Sequence, residues 1–319
     1  MAEVFFRQFG LVPDHFLDLS SSSPEQQVAE IISGVGELIS TLKPALVVVV
    51  GDVNSTLAAS IAANKLGVKL AHVESGLRSF DRSMPEEFNR VLTDKMSDLF
   101  FVTEQSGMDH LLAEGYDAGQ VHFVGNTMID TLLAFRKQIE GADALQRLSV
   151  EKEKYILMTM HRPATVDSGS GLERLCSLLD LLAARERIVF PVHPRTLANL
   201  ERMGFKTKLE RNRNLIMTGP QDYFAFQKLV ACCRFIITDS GGIQEESTFL
   251  GKPCLTLRPN TERPITVTLG TNELVPFDND IISEKVKQIN EGAFKKGRVP
   301  PLWDGHATER IFRVINSEI

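Results

Sequence analysis

The run Ala45-Leu46-Val47-Val48-Val49-Val50 is apolar throughout and six residues long. It is too short for a stable helix, and its β-branched side chains crowd a helical backbone. It therefore predicts a strand buried on both faces, as in a parallel sheet. Parallel strands must be joined by crossovers, usually helices, so this run commits the chain to alternating β and α elements.

The rest of the chain follows that rhythm. Further strands are expected at 68–73, 99–102 and 121–124, with helices at 56–66, 85–96 and 103–114 between them. Pro85 at a first helical position, followed by Glu86 and Glu87, is a strong helix start. Residues 130–154 are charged and helix-prone and read as a connection between domains. A second series then begins, with strands at 155–160, 188–192, 215–217, 235–238 and 254–257. Its helices are expected at 172–184, 223–232 and 243–250, with a last one at 307–315. At 319 residues the chain is long for one core. The expectation is an α/β protein of two doubly wound domains facing a cleft, divided near residue 140.

Several function classes are excluded by bulk properties. A net charge of −6 and a pI near 5.7 argue against a nucleic-acid binder. Cys176, Cys232, Cys233 and Cys254 lack zinc-site spacing and each falls in an apolar stretch, so buried free thiols in a reducing cytoplasm are expected. The first nine residues lack the basic start and apolar core of a signal peptide, and no apolar run would span a bilayer. No motif calls for a metal or another cofactor. Gly169-Ser170-Gly171 does not complete a dinucleotide fingerprint and reads as a mobile loop, and Asp278-Asn279-Asp280 reads as a turn.

Ligands of open α/β sheets bind beyond the carboxyl ends of the strands, so the residues that follow each strand carry the functional argument. Gly51-Asp52 follows the first strand and Glu74 the second. His161-Arg162, His193-Pro194-Arg195 and Asp239-Ser240-Gly241-Gly242 follow strands of the second series. Any one of these is more simply a cap or a turn; five together mark an active-site cleft. The sharpest is Ser240-Gly241-Gly242 running into a helix, where free N–H groups bind phosphate oxygens and Glu246 stands one turn further in, within reach of a ribose. The plainer alternative is a helix capped by Ser240, with acids complementing its dipole, but this leaves the two glycines unexplained. Asp52, Glu74 and Glu86 would supply carboxylates for removing a proton from carbon and returning it. Like charges so placed raise one another's pKa. For Glu87 the helix-start role suffices. His161 would bond a diphosphate or sugar, or serve as a hinge histidine. At His193-Pro194-Arg195 a structural turn competes evenly with an anion site.

In order along the chain, Gly51–Thr56, His72–Arg78, Met84–Arg90, Gly125-Asn126-Thr127, His161-Arg162-Pro163, Pro191–Arg195, Asp239–Glu246 and Thr261–Pro264 with Gly270-Thr271-Asn272 resemble the non-hydrolysing UDP-N-acetylglucosamine 2-epimerases. The resemblance covers nearly the whole chain. It implies a glycosyltransferase-B-like architecture of two Rossmann-like domains: residues 1–140 with the last helix, 306–319, packing back on them, and 141–305 for the nucleotide. It implies interconversion of UDP-GlcNAc and UDP-ManNAc: the C2 proton is removed, UDP leaves to give 2-acetamidoglucal, and UDP adds back with the opposite configuration at C2.

Carried over position by position, Asp52, Glu74, Glu86 and His161 would be catalytic. Arg162 and Arg263 would supply positive charge and Ser240, Gly241 and Gly242 would hold the diphosphate. Glu246 would hold the ribose, and Gln221 and Phe226 would frame the uracil. The resemblance also implies a homodimer acting on a UDP-sugar. Members of this family begin with a strand and a Gly-Thr-Arg-Pro-Glu motif that have no counterpart here, so the first domain is expected to lack its opening strands and to expose an apolar sheet edge. A hydrolysing relative that releases free ManNAc, a glycosyltransferase of the same architecture and a non-catalytic UDP-sugar binder are the competing readings.

Overall fold

The computed structural model describes residues 2–319, with side chains from residue 6 onward except at position 164. The chain divides into two compact units. One comprises Val12–Thr131, Glu262–Ile265 and Pro301–Ile319; the other comprises Met1–Leu11, Leu132–Thr261 and Thr266–Pro300.

The first of these units holds a four-stranded sheet of β1 (Leu46–Val50), β2 (Lys69–Val73), β3 (Leu99–Val102) and β4 (Val121–Phe123), in that order and all parallel. Helices Asn54–Lys65, Pro85–Met96 and Gln105–Ala113 make the crossovers. Two side-chain clusters sandwich the sheet. Leu70 and Val49 pack with Ala62, Ala63 and Ile39, while Ala71, Val73, Leu99 and Phe101 pack with Val124 and Ile311. Ile311 lies on the final helix, Ala307–Glu318, whose first free N–H groups, at Ala307 and Thr308, donate to the Asp130 carboxylate at 3.1 and 2.7 Å. β1 is therefore covered unevenly: among the described residues it pairs only with β2, and Val48 and Val50 are exposed while Val49 is buried. A five-residue strand at the end of a sheet loses the burial on both faces that its composition suggests.

The other unit holds a six-stranded parallel sheet. Its strands are β5 (Ile156–Thr159), β6 (Ile188–Pro191), β7 (Leu215–Thr218), β8 (Phe235–Thr238), β9 (Cys254–Thr256) and β10 (Asn272–Leu274), in the spatial order β10-β9-β8-β5-β6-β7. The chain runs outward from β5 through β6 and β7, then returns to β8 on the opposite side of β5. The gap between the carboxyl ends of β5 and β8 is thus the topological switch point, where ligands of such sheets bind. The sheet is buried from both sides: Ile156, Met158, Phe190 and Ile237 face one cluster, and Tyr155, Leu157, Val189 and Ile236 face the other. All four cysteines are buried free thiols.

Some local expectations change. Residues 24–42, given no element from the sequence, form helix Pro24–Leu42, whose cap Ser23 accepts from the Gln26 N–H. The stretch Gly169-Ser170-Gly171 is not a mobile loop. It opens helix Gly169–Ala183, Ser168 caps it through the Gly171 N–H, and a Cβ on Gly171 would lie 2.2 Å from the Thr165 carbonyl oxygen. Asp278 caps helix Asn279–Asn290 instead of closing a turn. Helix Ala2–Phe9 falls in the unit of the six-stranded sheet, where the Phe9 ring lies 4.9 Å from that of Phe135 and 5.1 Å from that of Tyr223. Residues 262–265 fall with the four-stranded sheet. No helix among the described residues is long and apolar enough to cross a membrane.

Candidate active site

The four-stranded unit gathers charge at the carboxyl ends of its strands. Asp52 follows β1, and its carboxylate is held by Arg90 of helix Pro85–Met96, through Nη2 at 2.5 Å and Nε at 3.2 Å. The Arg90 side chain is almost wholly buried and also donates to Glu87 at 2.6 Å. Asn89 on the same helix donates to the Asp52 backbone carbonyl at 2.9 Å. One helix therefore fixes both the backbone and the charge of Asp52. His72, buried in β2, bridges the Asp94 carboxylate at 2.6 Å and the Gly51 carbonyl at 2.9 Å, which pins the turn that projects Asp52.

Glu74 follows β2 with φ of 69°, a left-handed conformation that a non-glycine residue adopts at a cost of about 1 kcal/mol or more. Its N–H and that of Ser75 both donate to the Phe101 carbonyl of β3, which holds the strained residue in place. The Glu74 carboxylate lies 3.7 Å from the Arg263 guanidinium. Burial raises its pKa against the opposing pull of Arg263, and the charge of Asp52 raises it further. Asp52 and Glu74 are thus electrostatic neighbours with unlike environments: one gripped by a buried cation, the other inclined to keep a proton.

Glu86 and Glu87 have unlike surroundings. Glu86 is exposed, and among the described residues its side chain has no hydrogen bond or ion pair with Asp52 or Glu74. Glu87 does more than complement the helix dipole. Buried, it accepts from the Ser79 N–H and hydroxyl and the Phe80 N–H at 2.8–2.9 Å, stapling the loop between β2 and the helix and pairing with Arg90. A sequence position cannot reveal this, because the loop that Glu87 holds is brought to it by the fold.

In the six-stranded unit, His161, Gln221, Phe226 and Ser240 line one pocket of about 320 Å³, together with His193 and Pro194. The pocket opens at the switch point. Asp239, fully buried after β8, takes the backbone N–H groups of His161 and Arg162 at 2.9 and 2.8 Å and pairs with His161 Nδ1 at 2.9 Å. This contact directs Nδ1 to the carboxylate and leaves Nε2 for a ligand. Arg162 donates through Nε to the Asp239 carbonyl at 3.0 Å. The ring of His193 lies 5.7 Å from that of His161, and burial together with the charge of His161 lowers its pKa. His193 also caps helix Pro194–Arg202, while Arg195 pairs with Asp167, so that stretch has a structural job.

Helix Gly242–Phe249 begins without a side-chain cap, which removes the Ser240-cap reading. Neither Gly241 nor Gly242 lies in the left-handed region, so the backbone does not demand glycine there. What the pair provides is access: unscreened N–H groups at a half-buried helix start, suited to phosphate oxygens. Glu246 sits one turn in, 4% exposed, with Gln227 donating to it, and burial pushes its pKa up to about 8. Gln221 donates to the Thr218 hydroxyl at 3.1 Å and faces the same pocket as Phe226. Sequence reasoning missed Asp239 as the partner of His161, Arg90 as the partner of Asp52, and Glu104, buried beyond β3. The last was in plain view as an acid following a strand.

Comparison with known proteins bears on the family and the fold. The family model described as UDP-N-acetylglucosamine 2-epimerase matches residues 1–316. The UDP-N-acetylglucosamine 2-epimerase of Methanococcus maripaludis is 36% identical over all of this chain and 88% of its own length. The UDP-2,3-diacetamido-2,3-dideoxy-D-glucuronate 2-epimerase of Pseudomonas aeruginosa is 36% identical over 90% of this chain and 79% of its own. The crystal structure of the Methanocaldococcus jannaschii UDP-GlcNAc 2-epimerase in complex with UDP-GlcNAc and UDP superposes with a TM-score of 0.89 at 35% identity, covering 99% of this chain and 88% of that one. With motif order, sheet topology and these matches in agreement, the chain belongs to the UDP-N-acetylglucosamine 2-epimerase family.

Proposed function

We propose that this protein interconverts UDP-GlcNAc and UDP-ManNAc by removing the C2 proton, eliminating UDP and adding it back to 2-acetamidoglucal with C2 protonated on the opposite face. The observation that carries the reading is the unlike pair Asp52 and Glu74. Arg90 pairs with Asp52 and holds its carboxylate in place, whereas burial favours the protonated form of Glu74. In the elimination, the base takes the C2 proton, the C–H electron pair forms the double bond to C1, and the C1–O pair leaves with the diphosphate. A weakly acidic C–H reacts this way only if base, acid and leaving group are held in place together.

Ser240, Gly241 and Gly242 receive the diphosphate, His161 through Nε2 and Arg162 support it, and Glu246 takes the ribose. Gln221 and Phe226 frame the uracil, and Arg263 supplies charge beside Glu74. Glu86 is exposed and joins the acid/base set only through the bound sugar. The protein is read as a homodimer working in a reducing cytoplasm, which the four buried thiols suit. Light scattering of the purified protein checks the assembly.

Incubation with UDP-GlcNAc in D₂O tests the reaction. Deuterium at C2 with formation of UDP-ManNAc is the expected result. Release of free ManNAc would assign the protein to a hydrolysing branch, and binding without exchange would reduce it to a UDP-sugar binder. The P. aeruginosa relative motivates a second substrate arm, UDP-2,3-diacetamido-2,3-dideoxy-D-glucuronate, against which UDP-GlcNAc should react faster.

A further inference from the structure

Glu104 stands two residues beyond β3, the strand paired with β2, whose end carries Glu74. It occupies the cap position of helix Gln105–Ala113 but makes no side-chain cap bond, so the usual reason for an acid at a helix start does not apply. Its side chain turns inward and is 1% exposed. Oε1 accepts the Ser106 hydroxyl at 2.5 Å, and Oε2 is buried without a hydrogen-bond partner. The Trp303 indole N–H, bonded to the Thr103 carbonyl at 3.1 Å, fixes the backbone just before it.

The charged groups that bear on Glu104 are Arg263 and Glu262. Arg263 pairs with Glu262 at 2.5 Å and lies 3.7 Å from Glu74. Glu74 and Glu262 thus lie beside one guanidinium whose charge also acts on buried Glu104. Three carboxylates and one cation in a poorly hydrated space cannot all carry full charge cheaply, so a proton stays among them near neutral pH. Burial lifts the Glu104 carboxyl to about 7, against the opposing effects of Ser106 and Arg263.

We propose that Glu104 is a positioning residue for the epimerisation, competing with Glu74 for Arg263 so that its charge sets how readily Glu74 holds and releases a proton. With Glu104 neutral, Arg263 serves Glu74 and favours its ionised form. With Glu104 ionised, Arg263 is shared and Glu74 keeps its proton. The inference rests on the acid/base role given to Glu74 above.

The test is the pH profile of C2 deuterium exchange into UDP-GlcNAc between pH 5 and 9, for the wild-type protein and Glu104→Gln. The amide keeps the shape and removes the charge. Arg263 is then no longer shared with Glu104, so the ionisation seen in kcat should move down by about one pH unit, with KM changed less than about twofold. Ser106→Ala is the second variant: loss of the hydroxyl donor favours neutral Glu104, so the same ionisation should also move down, by less than in Glu104→Gln, and it keeps the question open to test if Glu104→Gln does not fold. Superimposable profiles, or an equal loss at every pH as a purely structural role would give, overturn the inference. A wild-type protein that exchanges no C2 proton at any pH would instead remove the reading of the reaction itself.

Discussion

Replacing Arg90 with Gln tests the electrostatic framework of the proposed site most directly. Arg90 is 1% exposed and serves two acids, Asp52 and Glu87, whose side chains are 25% and 8% exposed. Removing one member of a buried ion pair strands the other, at a typical cost of about 3–5 kcal/mol. Asp52 reaches solvent and Glu87 keeps its three donors from Ser79 and Phe80, so the low end applies, about 3 kcal/mol. For a protein of 319 residues that is a fall of roughly 4–5 °C in Tm. C2 exchange should drop by at least about tenfold, because Asp52 loses its tether as well as its counter-charge.

A double-mutant cycle with Glu87→Gln separates the pair from general damage. Once Glu87 is neutral, Arg90→Gln strands only the more exposed Asp52. The two changes should therefore be non-additive by about 1 kcal/mol or more in urea unfolding. If Arg90→Gln costs less than about 1 kcal/mol, or if the two changes add within about 0.3 kcal/mol, the reasoning about a buried shared cation fails.

Glu246 gives a pH prediction. Its folded-state pKa is raised from 4.5 to about 8, so the folded protein holds a proton that the unfolded chain releases. The stabilisation is fully present below about pH 4.5 and is lost as pH rises through about 8, a span on the order of 4 kcal/mol. Glu246→Gln should flatten that part of the stability profile of the ligand-free protein, and an unchanged slope would assign it elsewhere. Asp239→Asn should cost on the order of a hundredfold in C2 exchange by releasing the orientation of His161, with UDP affinity measured alongside by calorimetry. A variant as fast as wild type would show that the His161–Asp239 pair is only structural. Gly76→Ala should lower stability by about 3 kcal/mol, since φ is +76° and the new Cβ would lie 2.3 Å from the Gly107 carbonyl oxygen. Thermal unfolding within about 2 °C of wild type would contradict that.

The order of strands and helices, and the position of most polar groups past strand ends, were legible from residue pattern alone. Short β-branched runs have one stable use in an α/β protein whose sheets are covered on both faces, and parallel sheets place strand ends along one edge. His161 and Ser240 were legible for the same reason, as residues just past strand ends, whereas Gln221 and Phe226 came only from the family resemblance; all four line one pocket. Helix Pro24–Leu42 was missed because its apolar positions are diluted by small and polar residues, and its burial comes from packing against helix Asn54–Lys65.

What only the tertiary structure decided is which acid has which neighbour. Along the chain, Glu86 and Glu87 are interchangeable acids at a helix start, yet one is exposed and the other is buried against Ser79 and Arg90. Asp52 and Glu74 likewise read as two equal carboxylates until Arg90 is found beside one and burial around the other. Protonation depends on distance and dielectric, and neither is a property of sequence position. The residue types were therefore written in the chain, while their chemical roles had to await the fold.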